Sequence, residues 1–536
     1  MKADLHIHTD ISDGSFDIKE TLSIAAESGL TSIAITNHDT VQGLAEAAYL
    51  GTKTGVEVLS GIEISAVDRR TNTKVHLLGY CFQPAATNIR KLCDPTIQKR
   101  QEKSLQQIEC LQTNGFRIDK EAILAKRRGR TIYKQHIMAE LIDKGYTDAT
   151  YSELYQSLFK GDGICSGDIE YVDVFEAVKA IKADHGIVVL AHPGEQKTHY
   201  LVEELVAAGL DGIELIHEKN TDEDQQIIKS LAAKHNLILT GGSDFHGKFG
   251  TVKKMGGLVC PREGFLRIRR ETDTRFFFIQ NLVMQAGRTL FNCCSKTKEI
   301  MRKEEKWNDL VTNFDIETER YLVQEIKHCF PCDSFLTEEK TVPQVNGRGY
   351  KWIIDPIDGT TNFINSGSDF AISVALYKDG SPLLGAVYDV MADSFYFGIT
   401  GGGAWLNGKE LAKETKRTKL NEAVIDYSLN TIEKLRRQKK KDLVALDSFI
   451  RGHRSYGVAS LAICKIATGG LSAYMSAKLC VWDFAAAAIF LREAGGCIVV
   501  ENNEEQNINL FVIACSDKYL FKELKSKILE LDNADE

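Results

Sequence analysis

The sequence predicts a two-domain chain of mixed α/β class, and three observations predict it. At 536 residues the chain is longer than one ordinary hydrophobic core organises, so two domains are expected. Short apolar runs alternate with helical patterns through about the first 250 residues, the rhythm of a parallel barrel or sheet. Eleven of the 13 histidines precede residue 250, which sets a histidine-rich half against a carboxylate-based one and predicts two different metal chemistries.

Composition narrows the function classes. Hydrophobic residues at 43%, charged residues at 26% and a net charge of −8 describe a soluble globular protein without the basic footprint that duplex nucleic acid requires. No apolar run reaches membrane-spanning length, and MKADLHIH lacks a signal-peptide core, so the expected location is cytoplasmic and no membrane partner is expected. The 13 cysteines are scattered; the one CxxC, Cys329 to Cys332, has no second pair, and small buried thiols are the expectation.

In the first half, DLHIHTDISDG (4–14) is a strand whose alternation puts His6 and His8 on one face, where both can hold one metal. Asp13 follows in a Ser-Asp-Gly turn that can fold back over them. A helix over 17–29 leads to strand TSIAIT and Asn37-His38-Asp39. Another helix precedes VEVLSGIEIS, which carries Glu63, and KVHLLGY adds His76. Residues 87–160 read as a helical insertion, polar and rich in Lys and Arg (KRRGR, 126–130), with Arg130 and Lys134 as candidate phosphate contacts. The strand rhythm resumes with GIVVLAHPG and His192, then DGIELIH with Glu214 and His217, then NLILTGGSDFHG with Asp244 and His246. Polar residues at the carboxyl ends of strands occupy the place where barrel active sites are built.

Residues 261–275 are charged and lack strand alternation, a short link followed by a helix from about 276 to 303. In LVTNFDIETERYLVQEI (310–326), Asp315 stands at a helix start. FLTEE brings Glu338 and Glu339 to the end of a short strand. WIIDPIDGTTNF (352–363) then delivers Asp355 to another strand end, with Pro356 keeping it extended. Asp358, Gly359, Thr360 and Thr361 follow in a turn whose free amides suit a phosphate, while the two carboxylates suit hard divalent cations. Three strands are expected over 370–398, a basic solvated helix over 431–443, and two apolar helices, GVASLAICKIATGG and VWDFAAAAIFLREAGG, the second with Asp483 at its start.

Taken together and in order, the first-half motifs resemble the PHP (polymerase and histidinol phosphatase) family. The resemblance implies a distorted (β/α)7 barrel over 1–265 holding up to three metal ions. Its implied ligands are His6, His8, Asp13, His38, bridging Glu63, His76, His192, Asp244 and His246; Glu214 and His217 lie outside the pattern and read as structural. LVTNFD, TEE, DPIDGTTNF and WDFAAA resemble the inositol monophosphatase family, which implies a layered αβαβα sandwich over 272–536. Its implied metal ligands are Glu338, Asp355, Asp358, Asp483 and the main-chain carbonyl of Ile357. Asp315 and Thr360 match the pair that deprotonates the attacking water, Glu339 is a further catalytic candidate, and the Gly359 and Thr360 amides match the phosphate site. Thr337 replaces a usual glycine, and Ser476 stands where an acidic contact to inositol is expected; both weaken the case for inositol 1-phosphate itself.

The two resemblances imply a bifunctional phosphoric monoester hydrolase. Mg²⁺ is expected in the second half and Mn²⁺, Fe²⁺ or Zn²⁺ in the first. The expected substrates are small phosphorylated metabolites: nucleoside 3′,5′-bisphosphates for the first half, and an inositol phosphate, sugar phosphate or 3′-phosphonucleotide for the second. Histidinol phosphate, RNA ends for the first half, and a non-catalytic sensing role for one half are the alternatives. A homodimer through the second domain completes the expectations.

Overall fold

The computed structural model describes residues 2–127, 130–252, 254–271, 275–293, 298–302, 310–344, 348–413, 417–501 and 510–531. The chain divides into two compact units, Met1–Phe277 and Phe278–Glu536.

The first unit is a nearly closed barrel. Its strands are β1 (Ala3–Ile7), β2 (Ser32–Ile35), β3 (Glu57–Asp68), β4 (Thr73–Tyr80), β5 (Val172–Asp173), β6 (Ile187–Leu190), β7 (Gly212–Ile216) and β8 (Ile238–Gly241). They pair in the order β1-β2-β3-β4-β6-β7-β8, with β5 a short side strand on β3. An isolated bridge between Ile7 and Phe245 links the two ends of that path. β4 runs antiparallel to both neighbours, which makes the barrel a distorted one. The strands are buried on both faces, as parallel strands covered by helices must be, and their apolar side chains form the core with those of the flanking helices.

The insertion is helical, as expected: Thr87–Thr113, Lys120–Arg127, Lys134–Asp143 and Glu153–Phe159. It carries its own small core around Ile108, Ile132, Met138 and Phe159. Arg128 and Gly129 of the basic KRRGR run lie outside the described residues. The charged stretch after Pro261 is not a bare link. Arg262–Glu271 is a helix whose Phe265 and Ile268 are fully buried against barrel residues, so its arginines face outward while two apolar side chains anchor it. The next helix, Arg275–Cys293, does not run on to 303 as its pattern predicts, because Ile300–Arg302 is instead a strand paired with Leu310–Thr312.

The second unit stacks two sheets around buried helices. A seven-stranded sheet contains Ser334–Thr337, Tyr350–Asp358, Ala371–Lys378, Ser381–Asp389 and Ser394–Ile399, which covers the three strands expected over 370–398. A five-stranded sheet contains Val424–Tyr427, Ala473–Leu479 and Leu510–Cys515. Val481–Glu493 is apolar almost all round and packs with Ala459–Ala467 in a core drawn from both sheets, the sign of a helix buried on every side. Helices Leu429–Lys439 and Lys518–Glu530 cover the outer face of the five-stranded sheet, completing the layered sandwich. Two glycines set the helix-to-sheet distance. A Cβ on Gly385 would stand 2.3 Å from the Ala486 carbonyl oxygen, and one on Gly398 would stand 2.7 Å from Phe490 backbone.

All four tryptophans lie in the second half of the sequence, so their fluorescence reports on this unit alone. Gly398→Val is expected to overpack the helix contact and destabilise the second unit by about 1–3 kcal/mol. Urea unfolding followed by tryptophan fluorescence checks it, and an unchanged midpoint contradicts the close-approach account.

Candidate metal centres

In the first unit the donors converge because strand ends converge. His6 lies on β1 with His8 just beyond it, Glu63 sits inside β3 and His76 inside β4, and His192 and Asp244 follow β6 and β8. Glu63 is the hub. Its Oε1 lies 2.9 Å from both His76 Nδ1 and His192 Nε2, while its Oε2 lies 3.1 Å from His8 Nε2 and 3.3 Å from His6 Nε2 and His38 Nδ1. One carboxylate facing two sets of imidazoles has the geometry of a ligand bridging two cations. Asp13 meets His246 Nε2 at 3.3 Å and His8 Nδ1 at 3.5 Å, and Asp244 meets His6 and His8 at 3.3 and 3.2 Å.

These groups form overlapping sets, each with its donor atoms within 4.8 Å of one another: His8, Asp13, His38, His246; His6, His8, Glu63, Asp244; and His38, Glu63, His76. Their fit to metal is visible in atoms left over. His6 Nε2, His8 Nε2, Asp13 Oδ1 and Asp244 Oδ1 are buried without a hydrogen-bond partner, a state that costs free energy unless something else satisfies them. Burial tends to raise the Glu63 carboxyl, but His38, His76 and His6 outweigh it and hold the group well below its ordinary range. Burial, helped by His8 and His76 and opposed by Glu63 and Asp13, takes His38 down to about 3, which leaves a neutral imidazole with a lone pair to offer. His192 (φ 23°) and Asp244 (φ 50°) adopt left-handed backbone, strain of the kind that collects at functional sites.

A fourth set lies beside these three. Glu214 and His217, expected to be structural, join His6 in the same cluster. Glu214 Oε1 lies 3.0 Å from His6 Nδ1, its Oε2 accepts from the His192 amide at 2.9 Å, and His217 Nε2 lies 3.5 Å from Asp244. An acid in the middle of the apolar strand GIELI was the available signal. Asn37 was also missed: its side-chain oxygen accepts from the Thr9 amide and the Ser12 hydroxyl, both at 2.8 Å, which fixes the turn carrying Asp13.

Next to the cluster lies a cavity of about 350 Å³, lined by Asp13, His38 and His76 at one end and by Lys74, Lys103, Lys134 and Lys160 elsewhere. Lys134, a candidate phosphate contact in the sequence, is among the lining residues. Arg130 does not line this cavity; it pairs with Asp10, which borders a separate one of about 220 Å³. The turn that contains Asp10 recruits the guanidinium before it can reach the metal cluster.

In the second unit the expected carboxylates also meet. Asp355 and Asp358 close strand Tyr350–Asp358, Glu338 follows strand Ser334–Thr337, and Asp483 sits in the first turn of Val481–Glu493. Burial drives the Asp355 carboxyl well above its ordinary range, and Glu338, Asp358 and Asp483 push it further; Asp358 is raised by burial to about 6. Two of these acids are buried and two are partly exposed, and the repulsion that raises Asp355 is of the kind bound cations relieve. Thr360 donates to Asp315 Oδ1 at 2.9 Å and lies 3.1 Å from the Ile357 carbonyl. Gly359, at φ 94°, caps the helix Thr360–Asn365. The fully buried Glu319 escaped the sequence reading. Its carboxylate accepts from the Thr337 hydroxyl (2.8 Å), the Glu339 amide (2.7 Å) and the Thr341 amide (2.7 Å), and so shapes the loop that presents Glu338 and Glu339. Cys329 and Cys332, expected as buried thiols, are exposed at the end of helix Asn313–Cys329, whereas Cys81, Cys260 and Cys464 are buried.

Glu214→Gln keeps the shape of the side chain but removes the charge that orients His6. It is expected to weaken metal binding in the first unit roughly 10–100-fold. Equilibrium competition with a chromogenic chelator measures this, and an unaltered affinity restores Glu214 to a purely structural role.

Residues 4–256 match the family model described as PHP domain, and residues 271–531 the one described as inositol monophosphatase family. The phosphoribosyl 1,2-cyclic phosphate 1,2-diphosphodiesterase of Eggerthella lenta is 44% identical over 257 residues, which span 48% of this chain and 98% of that protein. The inositol-1-monophosphatase of Bacillus subtilis is 39% identical over 190 residues, 35% of this chain and 71% of that protein. Inositol monophosphatase 1 of Mus musculus is 33% identical over 224 residues, 41% of this chain and 80% of that protein. A diphosphodiesterase among these relatives broadens the sequence expectation of a monoester hydrolase to phosphoesterase. Among the described residues no helix is long and apolar enough to cross a membrane. The chain belongs to two metal-dependent families at once, the PHP domain family through its first half and the inositol monophosphatase family through its second.

Proposed function

We propose that the chain is a bifunctional phosphoesterase with two separate active sites, one in each half. The observation that carries this reading is the imidazole cluster around Glu63, and beside it the mutual repulsion of Asp355, Asp358, Glu338 and Asp483 in the second half. Divalent cations bound there would acidify a water and neutralise the charge gathering on phosphorus. Imidazole-rich donors suit Mn²⁺, Fe²⁺ or Zn²⁺ in the first half, and carboxylates suit Mg²⁺ in the second.

In the first half the chain supplies an anion-attracting cavity beside the cluster, with Lys134 in its wall. This supports phosphorylated sugars or nucleotides as substrates: nucleoside 3′,5′-bisphosphates, or a phosphoribosyl cyclic phosphate such as the Eggerthella lenta relative is named for. In the second half Asp315 accepts the Thr360 hydroxyl, so a water held by Thr360 could pass its proton to Asp315. The Gly359 and Thr360 amides, at a helix start, would hold a phosphate, and Glu339, carried by the loop that Glu319 braces, is a further catalytic candidate. The substrate there is a small phosphate monoester. Location in the cytoplasm and dimerisation through the second half belong to the same proposal.

The test uses two variants of the full-length chain. His8→Ala should abolish one phosphoesterase activity and Asp355→Asn the other, each by at least roughly 100-fold, since even partners behind the ligands cost roughly 10–100-fold. Mn²⁺ should restore the activity of the metal-stripped first half, and Mg²⁺ that of the second. If either variant silenced every activity while the protein stayed folded, the two-site reading would be wrong.

A further inference from the structure

The cavity beside the imidazole cluster contains an anion of its own. Asp168 forms ion pairs with two lysines at once, Lys74 and Lys134, the latter at 2.8 Å. The two lysines come from unrelated elements. Lys74 lies on β4 two residues before His76, so strand alternation turns both toward the cavity, and Lys134 opens the insertion helix Lys134–Asp143. Asp168 itself belongs to the segment after Glu153–Phe159. Lys103 reaches the same segment through the Ser166 carbonyl at 3.3 Å, and Lys160 also lines the cavity. Two ammonium groups thus hold one carboxylate, and two more lysines line the cavity around them. Tyr133, Tyr155 and Tyr171 line the same cavity, with Lys74 over the Tyr171 ring at 5.2 Å.

A carboxylate brings one charge and two oxygens to such a pair, whereas a phosphate brings up to two charges and three oxygens. We infer that Asp168 is a placeholder: it occupies the Lys74–Lys134 pair until a second phosphate on the substrate displaces it, and the pair thereby selects phosphoesters that carry two phosphates. This rests on the first half being a phosphoesterase. The reacting phosphate takes the end of the cavity lined by Asp13, His38 and His76, and the tyrosine wall takes the sugar or base between the two phosphates.

A purely structural brace makes the opposite prediction, so the sign of one substitution separates the two accounts. The assay uses the full-length chain carrying Asp355→Asn, and counts only the turnover that His8→Ala removes. Adenosine 3′-monophosphate and adenosine 3′,5′-bisphosphate differ by one phosphate; each is measured as a substrate (KM) or as a competitor of p-nitrophenyl phosphate (inhibition constant). The unsubstituted cavity should prefer the bisphosphate. Asp168→Asn should strengthen that preference roughly tenfold by removing the internal competitor, and Lys74→Met should weaken it roughly tenfold. An Asp168→Asn chain that loses affinity for both compounds alike overturns the placeholder and leaves a brace. A Lys74→Met chain whose preference is unchanged overturns it too, and does so even where Asp168→Asn fails to fold. No turnover removable by His8→Ala would instead overturn the phosphoesterase reading on which the inference rests.

Discussion

Buried like and unlike charges that only cations can reconcile are the constraint on which both halves depend. In the first unit, five imidazoles face one carboxylate, Glu63, yet several buried nitrogen and oxygen atoms still have no partner. In the second, Glu338, Asp358 and Asp483 stand near enough to the buried Asp355 that their repulsion adds to burial in raising its carboxyl. Neither arrangement pays its desolvation cost through packing. Each is retained because the surrounding fold is stable enough to hold it. The barrel core from β1 to β8 and the all-round buried helix Val481–Glu493 provide that stability.

The two halves solve the placement problem differently. The barrel gathers ligands from the ends of many strands, and backbone strain at His192 and Asp244 aims the last of them. The sandwich uses fewer elements: one strand end supplies Asp355 and Asp358, one helix start supplies Asp483, and the Glu319 carboxylate shapes the loop that supplies Glu338. Asp358 is also tied to the Ser460 amide at 2.7 Å, which links the strand to helix Ala459–Ala467. In both halves the groups just behind the ligands set the geometry.

The candidate ligands were legible in the sequence because they stand on or just after apolar strands, or at a helix start, with short fixed spacing. The two apart of His6 and His8 or the DPIDG turn survives as local structure. The partners behind them were not legible. Glu214 reads as an ordinary strand acid, and Glu319 as one charge on an amphipathic helix, because their roles come from residues hundreds or tens of positions away. The pairing of Arg130 was not legible for the same reason: its neighbour Asp10 is 120 residues earlier in the chain, and no local pattern announces the pair. The helix Arg262–Glu271 was hidden by its charge, since two buried side chains suffice to dock it.

The central claim is that the imidazole cluster is a metal centre and not a structural knot of histidines. Calorimetric titration of the chelator-stripped full-length chain with Mn²⁺ tests it most directly, alongside the same titration of His8→Ala. The account predicts more than one tightly bound Mn²⁺ per chain, with proton release, and loss of that binding in the variant. Identical weak binding in both proteins would contradict it.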